Sequence, residues 1–382
     1  MTTQLLSTLF KLYREKSLFG RYITYEHVHP IFSSYQSIKY ETLGYSVSGN
    51  PIDCLTCGNG PIKVLMWSQM HGNESTTTKA IVDIFNTLVA ESLKCKHILE
   101  KLTIICVPIL NPDGAANYTR NNANDIDLNR DAINLSQPES VILRQLFDKV
   151  QPDWCFNLHG QRTIFSAGET SKSATLSFLA PAQDETKSIT VNRKKAMALI
   201  ALINQSLQSI IPNQIGIYDD TFNANCVGDA FQKEGVPTVL VEAGHYKRDY
   251  NREDVRRLVY IALMKALTLI SDQAIDANDF KNYTLIPPNK KLFYDIIIRN
   301  AFLNKESKMA CDICIQYNER LVDNNIDFVP TIEKFTDLAK SYGHFEIDAN
   351  NTLVVDNDGN QLEVSNEIDF VLVNSEEISL KP

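Results

Sequence analysis

Three observations predict an α/β fold with a mixed, largely parallel sheet flanked by helices, followed by a small β-rich unit. From about residue 40 to residue 270, short apolar runs alternate with amphipathic helical patterns, the signature of strands joined by helices. The alternation breaks in the polar stretch 271–288, which closes on Pro287-Pro288. Beyond it the apolar runs are strand-like only. The expected division is a larger α/β domain over residues 1–275 and a small acidic β-rich domain over residues 276–382.

Taken in order, residues 62–66 are a mostly apolar run ending in Trp67 and bounded by the turn at 58–61, which suits a strand buried on both faces. Residues 76–88 repeat Ala80, Ile81, Ile84, Phe85 and Leu88 at helical spacing. Residues 102–110 are rich in Ile and Val and stop at Asn111-Pro112-Asp113-Gly114, a strong turn signal. A helix is expected over 141–150, and strands over 154–158 and, after Pro237, over 238–241. Long amphipathic helices are expected over 194–211 and 254–270. The last part offers strands at 293–298, 311–316, 352–355 and 369–373, with Asp356-Asn357-Asp358-Gly359-Asn360 as a hairpin turn.

Composition narrows the function classes. The chain has 382 residues, 44% hydrophobic and 22% charged, an ordinary globular balance. No apolar run approaches the ~20 residues of a membrane helix. Lys11, Arg14, Glu15 and Lys16 interrupt the first twenty residues, which do not read as a secretory signal. A cytoplasmic protein without a membrane partner is therefore expected. The net charge is −9, and residues 281–382 hold 10 Lys and Arg against 17 Asp and Glu. Neither part carries the basic stripe of a nucleic-acid binder, so no such partner is expected. Eight cysteines are too few for a disulfide scaffold. Cys54/Cys57 and Cys311/Cys314 have metal-like spacing, but the turn residues of a zinc knuckle are missing and nothing ties the pairs together.

Chemistry concentrates at strand ends. Four apolar runs close on polar clusters: His71-Gly72-Asn73-Glu74; Asn111-Pro112-Asp113-Gly114, leading to Arg120 and Asp127-Leu128-Asn129-Arg130; Asn157-Leu158-His159-Gly160; and Val241-Glu242-Ala243-Gly244. In open α/β sheets ligands bind at the carboxyl ends of strands, so these segments can converge. His71 and Glu74, three apart, can grip one ion. His159 would complete two imidazoles and a carboxylate around one zinc ion with a position open for water, the ligand set of catalytic zinc. Zinc acidifies water and polarises a carbonyl. Glu242, not needed as a ligand, is then available as general base.

Over roughly residues 35–272 the chain resembles the zinc carboxypeptidase family of metallopeptidases. The resemblance rests on Gly44-Tyr45-Ser46 with Asn50-Pro51-Ile52, His71-x-x-Glu74, Asn111-Pro112-Asp113-Gly114, Arg120, Asn129-Arg130, His159 and Glu242. It implies His71, Glu74 and His159 as zinc ligands and Glu242 as general base. It further implies Arg120 as stabiliser of the oxyanion, and Asn129 and Arg130 as holders of the substrate's terminal carboxylate. The implied activity is release of carboxyl-terminal residues from peptides.

The chain departs from the family pattern in places. Asn73 stands where secreted digestive members carry arginine beside the zinc-binding glutamate. The family's substrate-covering tyrosine falls near Tyr218 once a short gap is allowed. Arg162 is a candidate replacement cation, and His245 reads as a capping or surface residue. Asp219, Asp220 and Asp229 could draw a basic side chain, although acids on a loop are ordinarily solvated.

Two other readings stay open. His-Gly-Asn-Glu followed by Asp-Leu-Asn-Arg also resembles the aspartoacylase and succinylglutamate desuccinylase branch, whose substrates are small N-acyl amino acids. A non-catalytic zinc-bearing peptide-binding protein is the other. The oligomeric state is not legible in the sequence.

Overall fold

A computed structural model describes residues 1–91, 94–306, 309–336 and 340–382. The chain opens with two helices, α1 (Thr3–Tyr13) and α2 (Tyr25–Ser34), then lays down β1 (Lys39–Tyr45), β2 (Pro51–Cys57) and β3 (Ile62–Ser68). Helices α3 (Thr76–Ala90) and α4 (Lys96–Lys101) lead to β4 (Leu102–Val107), α5 (Pro112–Asn117), α6 (Pro138–Val150) and β5 (Trp154–Gly160). Short strands β6 (Phe165–Ala167) and β7 (Leu176–Leu179) follow, then α7 (Val191–Leu207), β8 (Ile215–Ile217), α8 (Val227–Lys233), β9 (Thr238–Ala243) and α9 (Glu253–Ser271).

Eight of these strands form one sheet in the order β1-β2-β4-β3-β5-β9-β7-β8. Its centre, β4-β3-β5-β9, is parallel, while β1, β2 and β7 join antiparallel. Alternate residues of β3 explain why helices cover both faces. Val64 and Met66 join one apolar core with α3, α7 and α9, and Leu65 and Trp67 join a second with α6 and α8. Such a strand reads as a continuous apolar run because both faces are buried. Helix α9 lies deep in the first core, where Arg256 pairs with Asp83 of α3 at 2.6 Å with both side chains essentially inaccessible.

The second sheet is built from β11 (Phe293–Phe302), β12 (Cys311–Val322), β13 (Asn325–Thr336), β14 (Tyr342–Val355), β15 (Phe370–Val373) and β16 (Glu376–Ser379), in the order β13-β12-β11-β14-β15-β16. Ile296, Ile298, Ile313, Ile315, Ile332, Val354 and Val371 form its own apolar core. A short helix, α10 (Phe280–Tyr283), precedes it and packs on α7, with Tyr283 and Ile286 still in the first core. The small strand β10 (Asn289–Lys291) pairs with β6.

Several elements differ from the sequence reading. Helices α1 and α2 and strand β13 were not anticipated, and β14 starts ten residues earlier than expected. Only tertiary packing distinguishes α1, whose Leu6, Leu9 and Phe10 are buried on the first core. The expected hairpin turn is present, with Gly359 at φ +82° and the Asp356 carboxylate accepting from the Asp358 and Asn360 amides. The two cysteine pairs lie in different sheets, on β2 and β12. Among the described residues, no helix is long and apolar enough to cross a membrane.

Candidate metal centre and substrate cleft

The chain leaves β3 through Gln69, held in the left-handed region at φ 49°, and turns His71 and Glu74 into the layer above the sheet before α3 begins. Strand β5 delivers His159 at its last turn of pleat. Parallel register sets His159 beside Glu242 of β9. Residues 88 and 171 positions from His71 thus meet it at the carboxyl ends of neighbouring strands.

Nδ1 of His71 lies 2.9 Å from Oε1 of Glu74, and Nδ1 of His159 lies 3.0 Å from Oε2 of the same carboxylate. The two imidazole Nδ1 atoms are 3.1 Å apart. One ligand atom from each of the three residues falls within 4.8 Å of the others. Tetrahedral zinc with bonds of ~2.0–2.2 Å sets its ligand atoms roughly 3.3 Å apart, so these three donors fit zinc in both number and kind.

The groups around this trio are tuned by it. Burial would raise the Glu74 carboxyl, but the charge of His71 and hydrogen bonds with both imidazoles hold it well below its ordinary range. Burial would lower His71, yet Glu74 and the hydrogen bond to Asp127 push it up to about 9. His159 is lowered, chiefly by burial. Glu242 is buried, and its Oε2 has no hydrogen-bond partner. Burial, then the negative charge of Glu74, raises its carboxyl well above the usual value.

Arg120 follows α5 and extends toward the trio, 3.5 Å from Glu74 Oε1, and donates to Asp127 Oδ2 through Nε and Nη2 at 3.1 and 3.0 Å. Asn129 and Arg130 sit on a single 3-10 turn, Leu128–Arg130. Asn129 Oδ1 accepts from the Val227 amide at the start of α8, and Arg130 Nη1 donates to the Cys226 thiol at 3.1 Å. Tyr218 stands just after β8 with its ring edge-on to Phe165, and burial pushes its hydroxyl up to about 12. Arg120, Asn129, Arg130 and Tyr218 line one cleft of about 970 Å³ together with His71, Glu74, His159 and Glu242.

Asp127, first of the Asp127-Leu128-Asn129-Arg130 cluster, has a role that only the structure assigns. Its Oδ1 is 3.0 Å from His71 Nε2, the ring nitrogen facing away from the trio. A carboxylate there fixes the tautomer and orientation of a ligating imidazole. The signal was an acid two positions before Asn129; nothing in the sequence says which histidine it meets.

The three loop acids separate. Asp220 is spent on Lys187 and Arg193, and Asp219, which lines the cleft, accepts from the amide and hydroxyl of Thr221. Asp229 is buried on α8, lines the cleft, and has its carboxyl pushed up to about 7 by burial. Arg162 is exposed on the cleft wall. His245 corrects the expectation of a surface or capping residue. It is 2% exposed, and its ring packs 4.1 Å from that of His344 and 4.7 Å from that of Tyr250.

Residues 27–199 match the family model described as zinc carboxypeptidase. A "Probable carboxypeptidase 2" of Trichophyton verrucosum is 27% identical over 139 residues, 36% of this chain and 26% of that protein. This chain thus spans about a quarter of that relative's length. Among solved structures, a metallo-carboxypeptidase from Burkholderia cenocepacia superposes with a TM-score of 0.52 at 18% identity, covering 66% of this chain and 70% of its own. The carboxypeptidase A from Helicoverpa armigera gives 0.53 at 15% identity, covering 71% and 80%. The fold is carboxypeptidase-like, in keeping with the resemblance read from the motifs.

Proposed function

We infer from the zinc carboxypeptidase match over residues 27–199 that this chain is a zinc-dependent metallocarboxypeptidase, a hydrolase that removes the carboxyl-terminal residue of peptides. The observation that carries the reading is the juxtaposition of two imidazoles and a carboxylate with a buried acid, Glu242, whose Oε2 has no partner. His71, Glu74 and His159 would hold a single ion. Zinc bound there supplies Lewis-acid polarisation of a carbonyl and acidification of water.

The chain's own residues do the rest. Glu242, with one oxygen free and its affinity for a proton raised, takes the proton of the attacking water and returns it to the departing amine. Arg120 stands beside the ligand carboxylate, where its guanidinium meets negative charge developing on the carbonyl oxygen. Arg130 and Asn129 receive the terminal carboxylate, and their distance from the trio selects the last peptide bond. Tyr218 covers the bound end, its hydroxyl remaining protonated at neutral pH.

The test is the zinc-loaded protein against a library of peptides differing at the last two residues, with products identified by mass spectrometry and N-acyl amino acids run in parallel. Release of single carboxyl-terminal residues is expected. Hydrolysis of the N-acyl amino acids alone would move the reading to the small-amide branch. A purified protein that takes up no stoichiometric zinc would end it.

A further inference from the structure

The cleft is not walled by the first sheet alone. Tyr317, Asn318 and Glu319 of β12 and Glu333 of β13 also line it. These residues come from the second sheet, to which the reading above assigns nothing.

That wall is bonded in place close to the metal centre. Beyond His159 the chain runs through Thr163, Ile164 and β6, and each is tied to the second unit. His344 Nε2 lies 2.8 Å from the Thr163 carbonyl oxygen, the Phe293 amide donates to the Ile164 carbonyl at 3.1 Å, and β10 pairs with β6. Asp295 accepts from Tyr250 at 2.9 Å and from Thr163 at 3.2 Å. Glu319 takes the Arg21 guanidinium at 2.9 Å and the Tyr118 hydroxyl, both of which line the cleft from the first layer. Bonds from β6, β10, β11, β12 and β14 make the second sheet a fixed wall.

Direction follows from which residues touch which flank. Arg130 and Asn129 are anchored on the α8 flank through Cys226 and Val227. The wall is anchored instead on Arg21 and Tyr118. With its carboxyl end held at the first flank, a peptide runs its amino-terminal remainder toward the second and meets β12. A cleft of about 970 Å³ is at the upper end of small-molecule pockets.

We propose that the second sheet limits this enzyme to short peptides, with Asn318 and Glu333 as specificity-determining residues on the limiting wall. The inference rests on the carboxypeptidase reading and narrows its substrate class.

The experiment is a series of peptides sharing the last two residues and growing from three to eight at the amino end, assayed for kcat/KM with the zinc-loaded full chain. A fall of about tenfold between the shortest and longest is expected, equivalent to ~1.4 kcal/mol. In the double variant Asn318→Ala with Glu333→Ala, the ratio of long-peptide to short-peptide kcat/KM should rise several-fold. Equal kcat/KM at every length would overturn the inference and leave the carboxypeptidase reading standing. An unchanged ratio in a folded double variant would overturn the assignment of these two residues. No release at any length would overturn both readings.

Discussion

A Cβ placed on Gly72 would fall 1.9 Å from the carbonyl carbon of Gly114. The turn that carries His71 and Glu74 is therefore in backbone contact with the turn that starts α5 and leads to Arg120. The proposed metal loop and the proposed oxyanion loop share one close approach that only glycine permits. Replacing Gly72→Ala should push the two loops apart, cost about 1–3 kcal/mol of stability as overpacked sites do, and weaken zinc retention. Thermal denaturation with a metal assay on the same sample checks both.

Glu242 supplies no ligand atom in the proposed centre. Glu242→Gln should leave zinc stoichiometry unchanged while kcat drops by about 10²–10⁴, the range of a lost general base. Loss of zinc together with activity would show that Glu242 supports the centre instead.

Asp127 acts through His71. Asp127→Asn should weaken zinc affinity about 10–100-fold, the usual cost of losing the carboxylate behind a ligating imidazole. Competition with a chelating dye measures it, and an unaltered affinity would exclude the orienting role.

The Asp229 carboxyl, raised to about 7 by burial, is neutral in mildly acidic solution and charged above that point. Since it lines the cleft, preference for a carboxyl-terminal Lys or Arg over Leu should grow between about pH 6 and about pH 8, as the carboxyl gains its charge. Asp229→Asn should flatten that dependence. A preference insensitive to pH in the unaltered protein would remove Asp229 from selectivity.

Deep in the first core, Arg256 donates to both carboxylate oxygens of Asp83. Asp83→Ala leaves the buried guanidinium with only the Glu253 carboxylate, at 3.1 Å, as charge partner, and a loss of about 3–5 kcal/mol is expected in denaturant unfolding. A loss under about 1 kcal/mol would mean that the remaining Glu253 contact suffices.

Legibility divides along physical lines. Strands β3, β5 and β9 are largely buried on both faces, so they appear as mostly apolar runs, and a polar residue closing such a run is conspicuous. That is why His71, His159 and Glu242 stood out although 171 positions separate the first from the last. Helix α1 did not stand out, since Leu6, Leu9 and Phe10 acquire meaning only against α3 and α9. His245 was misread for a related reason. A histidine after a strand carries no mark of burial, and its enclosure by His344 and Tyr250 depends on where the second sheet docks.

From the order of residues alone came the layer architecture, the two imidazoles, the two carboxylates and the polar caps that terminate the strands. These are local matters of periodicity and residue type. Only the folded chain decided that Asp127 backs His71, that Asp229 is a buried acid of the cleft, and that β12 lines it. Each depends on distances between segments far apart in the chain, which hydrophobic pattern and spacing do not encode.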